Sequence, residues 1–412
     1  MRGAPGGAAM SARAERAPRP PRSDALRRRG PVGPRAVPRA DSHLVLAPSR
    51  TWGVGDQAAL DSYLGLTAGP VALVTGAAEG PALVDRASRV AVHPLPALLG
   101  EQGRPRRAAV ASFLGLLERN AHCTVLASEE SSAAPGEVAV LARTAAERGL
   151  DTRIIGFSWP LAAGQRAVRA LRSATRAGAT FFVYDDLDRI RAMNDGVDGL
   201  RRAVDLRFAG FGLDDGVLAA LGIGDGPVAL VDACARGLGG VDPTADVMGV
   251  VAHLQRRGIH VLLLPQDLRK ESGDPALCER VAQLLGGTGV QVVGRALRPS
   301  ELRALADRAS VVVTGRAAVA VLASTCAVPV VGLSADRAVA GVLRLTGDPE
   351  RCVQPRPGFA PAVGRLLDQV LDADDAAAAV RHALPELVPL ARAALDGLPA
   401  AGPQHAPLRA SA

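Results

Sequence analysis

Aromatic residues make up only 3% of this sequence, and of its 48 basic residues only Lys270 is a lysine. A core short of rings must be filled by small aliphatics, here Ala, Val, Leu and Gly, which suits parallel sheets layered with helices. The scarcity of lysine reads as a genome-composition bias and carries no chemistry. Cysteine is also scarce: Cys123, Cys234, Cys278, Cys326 and Cys352 are widely spaced, odd in number and form no C-x-x-C pair. That pattern excludes a disulfide framework and fits a reducing cytoplasm in which each thiol is a small buried apolar group. No histidine stands at a suitable spacing from a cysteine pair, so no metal site is expected. The amino-terminal stretch has no apolar h-region, so a secretory signal is not expected either.

A chain of 412 residues that is 48% apolar is long enough for about two domains, each with its own core. The net charge of +7 belongs to one end. Residues 1–42 hold ten arginines against Glu15, Asp24 and Asp41, leaving 38 basic and 38 acidic residues in the rest. The body therefore has no basic excess, and nucleic acid is not an expected partner. The Pro-, Gly- and Arg-rich segment 1–42 reads as a disordered tail, either a solvated extension or a start assigned too early.

Two series of alternating strands and helices follow. The first runs through "HLVLA" (43–47), "PVALVTG" (70–76), "CTVLAS" (123–128), "TRIIGFS" (152–158) and "TFFVYD" (180–185), and "AVDLRFAGF" closes it. A Gly/Pro-rich break, "GIGDGP" (222–227), marks the expected boundary between domains spanning 43–225 and 226–395. The second series runs through "PVALVDA" (227–233), "HVLLLPQD" (260–267), "VQVVG" (290–294), "SVVVTG" (310–315) and "VPVVGLS" (328–334). Short β-branched runs between helical patterns of 10–15 residues imply βαβ units and mostly parallel sheets. Alanine-rich terminal helices follow, and 396–412 reads as a flexible tail.

Within "VVVTGRAAVAVLASTCAVPVVGL" (311–333) a single arginine interrupts two apolar runs. From Ala317 to Ser334 no residue is charged, which meets the length of a membrane span. Pro329 and the β-branched residues at both ends argue for a buried strand–helix–strand unit instead, so no transmembrane segment is expected. Arg316 then lies at the carboxyl end of a strand where a helix begins, the edge at which open α/β sheets bind ligands. Gly315 would admit a ligand to the backbone, and the arginine could fork onto a phosphate or carboxylate. A solvated arginine or an inter-domain ion pair is the alternative.

Taken in order, these segments resemble the polysaccharide pyruvyl transferase family over residues 50–355. "GVGDQAAL" (53–60) resembles its Asn-x-Gly-Asp-x-Ala signature, and "RIIGFSWP" (153–160) its strand ending in Gly-x-Ser. "FVYDDLDRIRAM" (182–193) stands in place of its Arg-Asp-x-x-Ser segment, and "VLLLPQDLRKESGD" (261–274) resembles its Pro-His-Asp stretch with a later Asp. The stretch from Val311 resembles its Thr-Gly-Arg-x-His helix and Val-Pro-Val-Val strand. The resemblance implies two Rossmann-like domains facing across a cleft, as in glycosyltransferase-B enzymes. It further implies transfer of the pyruvyl group of phosphoenolpyruvate, a co-substrate with no other cofactor, onto hydroxyls of a cell-surface glycan or lipid-linked sugar precursor. Arg316 would be the anion clamp, with Gly315, Gln266, Asp267, Arg269, Asp274, Gly55, Asp56 and Ser158 around the substrates.

The departures from the family are chemical. Gln266 and Ala318 stand where it has histidines, Ala335 and Ala338 where it has Tyr and Lys, and Gly53, Tyr184 and Asp188 replace its Asn, Arg and Ser. Glutamine hydrogen-bonds but does not titrate, and alanine does neither, so no catalytic acid is assigned. Asp205 and Asp232 are further polar candidates. Asp56 also suits a helix cap, Ser158 and Asp232 suit loop backbone groups, and Asp267 with Arg269 suits a surface pair. Two other readings stay open: a catalytically inactive relative that binds a sugar or anionic ligand, and a nucleotide-binding protein, since "GVGDQA" (53–58) fits G-x-G-x-x-A.

Overall fold

The computed structural model describes residues 39–47, 52–77, 88–99, 103–127, 135–159, 164–184, 186–210, 212–233, 242–268, 273–334 and 338–401, all within one unit. The 1–38 part of the proposed tail, Asp185, Arg269 and Ala335 lie outside the described residues. The first sheet is wholly parallel. Its strands are β1 (His43–Ala47), β2 (Val71–Thr75), β3 (Val90–Pro94), β4 (His122–Leu126), β5 (Asp151–Phe157), β6 (Thr180–Val183) and β7 (Arg201–Arg202). They lie in the order β3-β2-β1-β4-β5-β6-β7. The second sheet comprises β8 (Val228–Val231), β9 (His260–Leu263), β10 (Val290–Val292), β11 (Ala309–Thr314), β12 (Val330–Leu333) and β13 (Cys352–Val353). Its order, β10-β9-β8-β11-β12-β13, repeats the doubly wound pattern of the first, with a reversal of direction between its first and fourth strands.

The helices of the first half are α1 (Val54–Leu66), α2 (Arg104–Leu117), α3 (Pro135–Ala146), α4 (Gln165–Arg176) and α5 (Asp186–Asn194). A short α6 (Gly216–Ala220) leads into the second half, with α7 (Thr244–Arg256), α8 (Asp274–Leu284), α9 (Pro299–Asp307), α10 (Ala317–Thr325) and α11 (Ala338–Leu345). The chain ends in α12 (Ala360–Leu371) and α13 (Ala378–Ala393).

Strands buried on both faces read as near-continuous apolar runs, and β8 shows why. Val228 and Leu230 enter one core while Ala229 and Val231 enter another on the opposite face. The first of these cores is shared by both halves, running from Tyr63 and Leu73 through Phe208 to Leu305 and Leu322. The segment "AVDLRFAGF", expected to close the first series, forms a 3-10 turn at Leu206–Ala209 that packs against α1, α10 and α13. Asp205 caps this turn, accepting from the Arg207 amide at 2.9 Å and from its guanidinium.

The end of the chain also touches the first half. The terminal helix, assigned to the second half, returns to the first: Arg153 Nη1 donates to the Ala394 carbonyl at 3.0 Å. Residues 396–401, expected to be loose, are held because the Ala68 amide donates to Pro399 at 2.8 Å and the Ala401 amide to Leu66 at 3.1 Å. The uncharged run 317–334 divides into the nine-residue α10 and the strand β12, and no helix among the described residues is long and apolar enough to cross a membrane.

Candidate functional site

The reversal point of the second sheet lies between the carboxyl ends of β8 and β11. Asp232 follows β8, and Thr314-Gly315-Arg316 ends β11 and opens α10. Thr314 Oγ1 donates to Asp232 Oδ2 at 2.7 Å and accepts from the Arg316 amide at 3.0 Å. The Arg316 guanidinium donates from Nη2 to Asp274 Oδ2 at 2.8 Å, and its Nε lies 3.9 Å from Asp232 Oδ1. Both carboxylate side chains are 0% exposed and the arginine is 11% exposed. Asp274 Oδ2 also accepts from the Asp267 amide at 3.3 Å. One buried cation therefore stands between two buried anions, and the triad ties the start of α8 and the 264–268 loop to the sheet edge. Of the alternatives open for Arg316, an ion pair is present, with two carboxylates of the second half.

Asp267, whose amide donates to Asp274 of this triad, also lines a cleft of about 310 Å³. One wall is Trp52, Gly53, Val54 and Gln57 at the start of α1. The other is formed by Pro265, Gln266 and Asp267 after β9 and by Arg295 after β10. Asp267 is the one carboxylate and Arg295 the one cation among the described residues lining it. The guanidinium of Arg295 contacts Glu301, 3.0 Å from its Oε2. Burial alone would raise the Glu301 carboxyl, but hydrogen bonds from Arg295 and Arg298 outweigh it and hold the group at about 2. Trp52 has a left-handed backbone, φ 46°, an uncommon and costly choice for a bulky residue. Its carbonyl accepts from Gln57 Nε2 at 3.1 Å.

Gly55 does not line the cleft but fixes its closure. A Cβ placed there would stand 2.6 Å from Ala318 Cβ and 2.7 Å from Arg207 Nη1. Helices α1 and α10, one from each half, thus touch where the pyruvyl transferase family has a histidine. Gly55→Ala is expected to destabilise the fold by about 1–3 kcal/mol through overpacking, measured by urea unfolding. An unchanged midpoint would show that α1 and α10 can separate at no cost.

The remaining candidates are placed as follows. Asp56 stands in the first turn of α1, near the positive end of the helix dipole; the cap position is Gly53 and makes no side-chain cap bond. Ser158, at the end of β5, donates to Asp188 Oδ2 at 3.1 Å and is not part of the cleft lining. Gln266 and Asp267 line the cleft with Gly53, Val54 and Gln57 opposite, and Asp267 is linked through Asp274 to Arg316. Sequence reasoning missed Trp52, Gln57, Thr314 and Arg295. A signal existed for Trp52, one of only two tryptophans in the chain and the residue that opens the "WGVGDQ" segment.

No family model and no curated relative matches the sequence. Solved structures do match in shape. A putative UDP-N-acetylglucosamine 2-epimerase from Listeria monocytogenes is similar at TM-score 0.58 and 14% identity, over 86% of this chain and 94% of that one. A glycosyltransferase from Rickettsia africae is similar at TM-score 0.55 and 9% identity, over 87% and 99%. The fold is that of glycosyltransferase-B enzymes. The UDP-GlcNAc 2-epimerase of Methanocaldococcus jannaschii, in complex with UDP-GlcNAc and UDP, shares it at TM-score 0.51 and 10% identity, over 83% and 98%. The expectation of two Rossmann-like domains is met, and these neighbours are not pyruvyl transferases.

Proposed function

We propose that the chain is a sugar-modifying transferase of the polysaccharide pyruvyl transferase type. It would move the pyruvyl group of phosphoenolpyruvate onto a glycan or lipid-linked sugar without a further cofactor. One observation carries the reading: two segments that resemble the family's motifs, far apart in the chain, line a single cleft, and a third is tied to it by hydrogen bonds. The Gly53–Gln57 segment faces Gln266 and Asp267 there, and Asp267 is joined through Asp274 to Arg316. Trp52 offers an apolar face to a sugar ring, and Gln57 and Gln266 can hydrogen-bond its hydroxyls. Asp267 takes the proton of the attacking hydroxyl, and Arg295 lies against the charge of the donor. In the reaction the donor's methylene carbon gains a proton, one hydroxyl oxygen bonds to the neighbouring carbon, phosphate leaves, and a second hydroxyl closes the ketal.

A second reading has its own support. The charge of Arg316 is already met by two buried carboxylates, and Ala318 replaces a titratable group, which favours a relative that binds a sugar or nucleotide sugar without turnover. Fluorescence distinguishes the two, because Trp159 is only 2% exposed and quenching reports on Trp52. Phosphoenolpyruvate is expected to quench the wild type and to release phosphate when a sugar acceptor is supplied. Asp267→Asn should lower phosphate release by about 100-fold with binding kept within a few-fold. Quenching by UDP-GlcNAc but not by phosphoenolpyruvate, with no phosphate released, would establish the second reading instead.

A further inference from the structure

Helix α5 is built inside out. Its buried residues are Asp188 and Ala192, while Leu187, Ile190 and Met193 are 45%, 48% and 51% exposed. These three recur every third position and form one stripe. The rotation of the helix is set from within. Asp188 Oδ2 accepts from the Trp159 amide at 2.9 Å and from Ser158 Oγ at 3.1 Å, and Asp188 Oδ1 accepts from Arg191 at 3.1 Å. Satisfying this buried carboxylate forces the apolar side of α5 outward, although the same spacing in an ordinary surface helix would face the core.

The surroundings are basic. Neighbouring α4 has arginines at 166, 169, 172 and 176 and no acidic residue, and Arg166, Arg169 and Arg176 are exposed. The two helices are linked by Arg172, whose Nη2 donates to the Asp195 carbonyl just beyond α5. The exposed edge strand β7 adds Arg201, while Arg202 lies 3.7 Å from Asp186. The acids of α5 are already engaged, Asp186 by Arg189 and Asp188 by Arg191.

We propose that α4, α5 and β7 form a docking surface for an anionic lipid bilayer, with Leu187, Ile190 and Met193 entering the headgroup boundary and the flanking arginines pairing with lipid phosphates. An apolar stripe bordered by arginine fits that interface because burial and attraction to anionic lipid add together. This docking is independent of the reaction assigned to the cleft.

Vesicle co-sedimentation of the full chain tests the proposal. Wild type should bind phosphatidylglycerol-containing vesicles at least about ten-fold better than pure phosphatidylcholine vesicles. The triple variant L187Q/I190Q/M193Q should lose about ten-fold or more of that binding while keeping its melting temperature. A second variant, R166Q/R169Q/R176Q, should lose binding at low salt. The ten arginines of residues 1–42 are common to all three proteins, so the differences isolate this surface. Equal binding by wild type and the apolar variant, or no binding by wild type, overturns the proposal. So does a wild-type dimer that the apolar variant converts to monomer, since a second copy would then cover the stripe.

Discussion

Arg316→Ala is expected to destabilise the protein by about 3–5 kcal/mol, the cost of leaving buried charge without its counter-ion. Asp232 and Asp274 have fully buried side chains, and the guanidinium is the cation between them. Its removal leaves two carboxylates in a water-poor sheet edge, held by Thr314 and by the Asp267 amide. Asp274, which accepts from the Asp267 amide of the 264–268 loop, would lose the cation that fixes it, so that cleft wall should loosen and binding in the cleft should weaken as well. Arg316→Lys keeps the charge but loses the fork and should fall between wild type and alanine. The pair R316M/D274N should lose less than the sum of its single variants, because each change removes the charge that the other leaves unpaired. Urea unfolding of wild type, the two Arg316 variants, R316M, D274N and their pair measures this. Additive losses, or a cost below about 1 kcal/mol for Arg316→Ala, would show that the triad behaves as an exposed pair.

Much of this architecture is legible in the sequence, because strands of a parallel sheet buried on both faces have to be continuous and β-branched. "VALV", "HVLL" and "SVVVT" announce themselves in this way, and the position of Arg316 at a strand's carboxyl end follows from them. The partners of Arg316 do not. Asp274 and Asp232 come from other βαβ units, and nothing in a single sequence couples an arginine to one aspartate among many. The contact of Gly55 with Ala318 is hidden for the same reason: a glycine chosen for close helix approach reads like one chosen for a phosphate loop. Helix α5 shows a different failure. The spacing of Leu187, Ile190 and Met193 is that of a core-facing stripe, yet the hydrogen bonds of Asp188 turn it to solvent. That Gln266 and Ala318 do not titrate is plain from the residues themselves; the packing of Gly55 against Ala318 is not.

Acid should weaken the fold well before the carboxylates protonate. His43 is 0% exposed, and burial, reinforced by neighbouring His122, lowers its pKa from 6.5 to about 4. Its Nδ1 shares a hydrogen bond of 2.9 Å with the Tyr63 hydroxyl, which lies 3.1 Å from Thr124 Oγ1. Between pH 6.5 and 4 the unfolded chain binds a proton at this position that the folded chain refuses. Stability is therefore full above about pH 6.5 and falls as pH drops towards 4, by about 1.4 kcal/mol per unit and about 3 kcal/mol in all. Asp151 behaves oppositely in range: His122, 3.6 Å away, and hydrogen bonds from Arg153 hold its carboxyl well below the usual value, so its contribution is lost only further into acid. Urea unfolding of wild type and His43→Gln at pH 7, 5.5 and 4.5 separates the two. The wild type should lose stability across this range and the variant should lose about 3 kcal/mol less; parallel losses would remove His43 as the cause. The consequence reaches the cleft, because Tyr63 belongs to α1, whose opposite end presents Gly53, Val54 and Gln57. Protonating His43 puts a buried charge beside Tyr63, at one end of the helix whose other end forms the cleft wall. Loss of cleft binding in acid should therefore track the unfolding midpoint in the wild type and be displaced with it in His43→Gln.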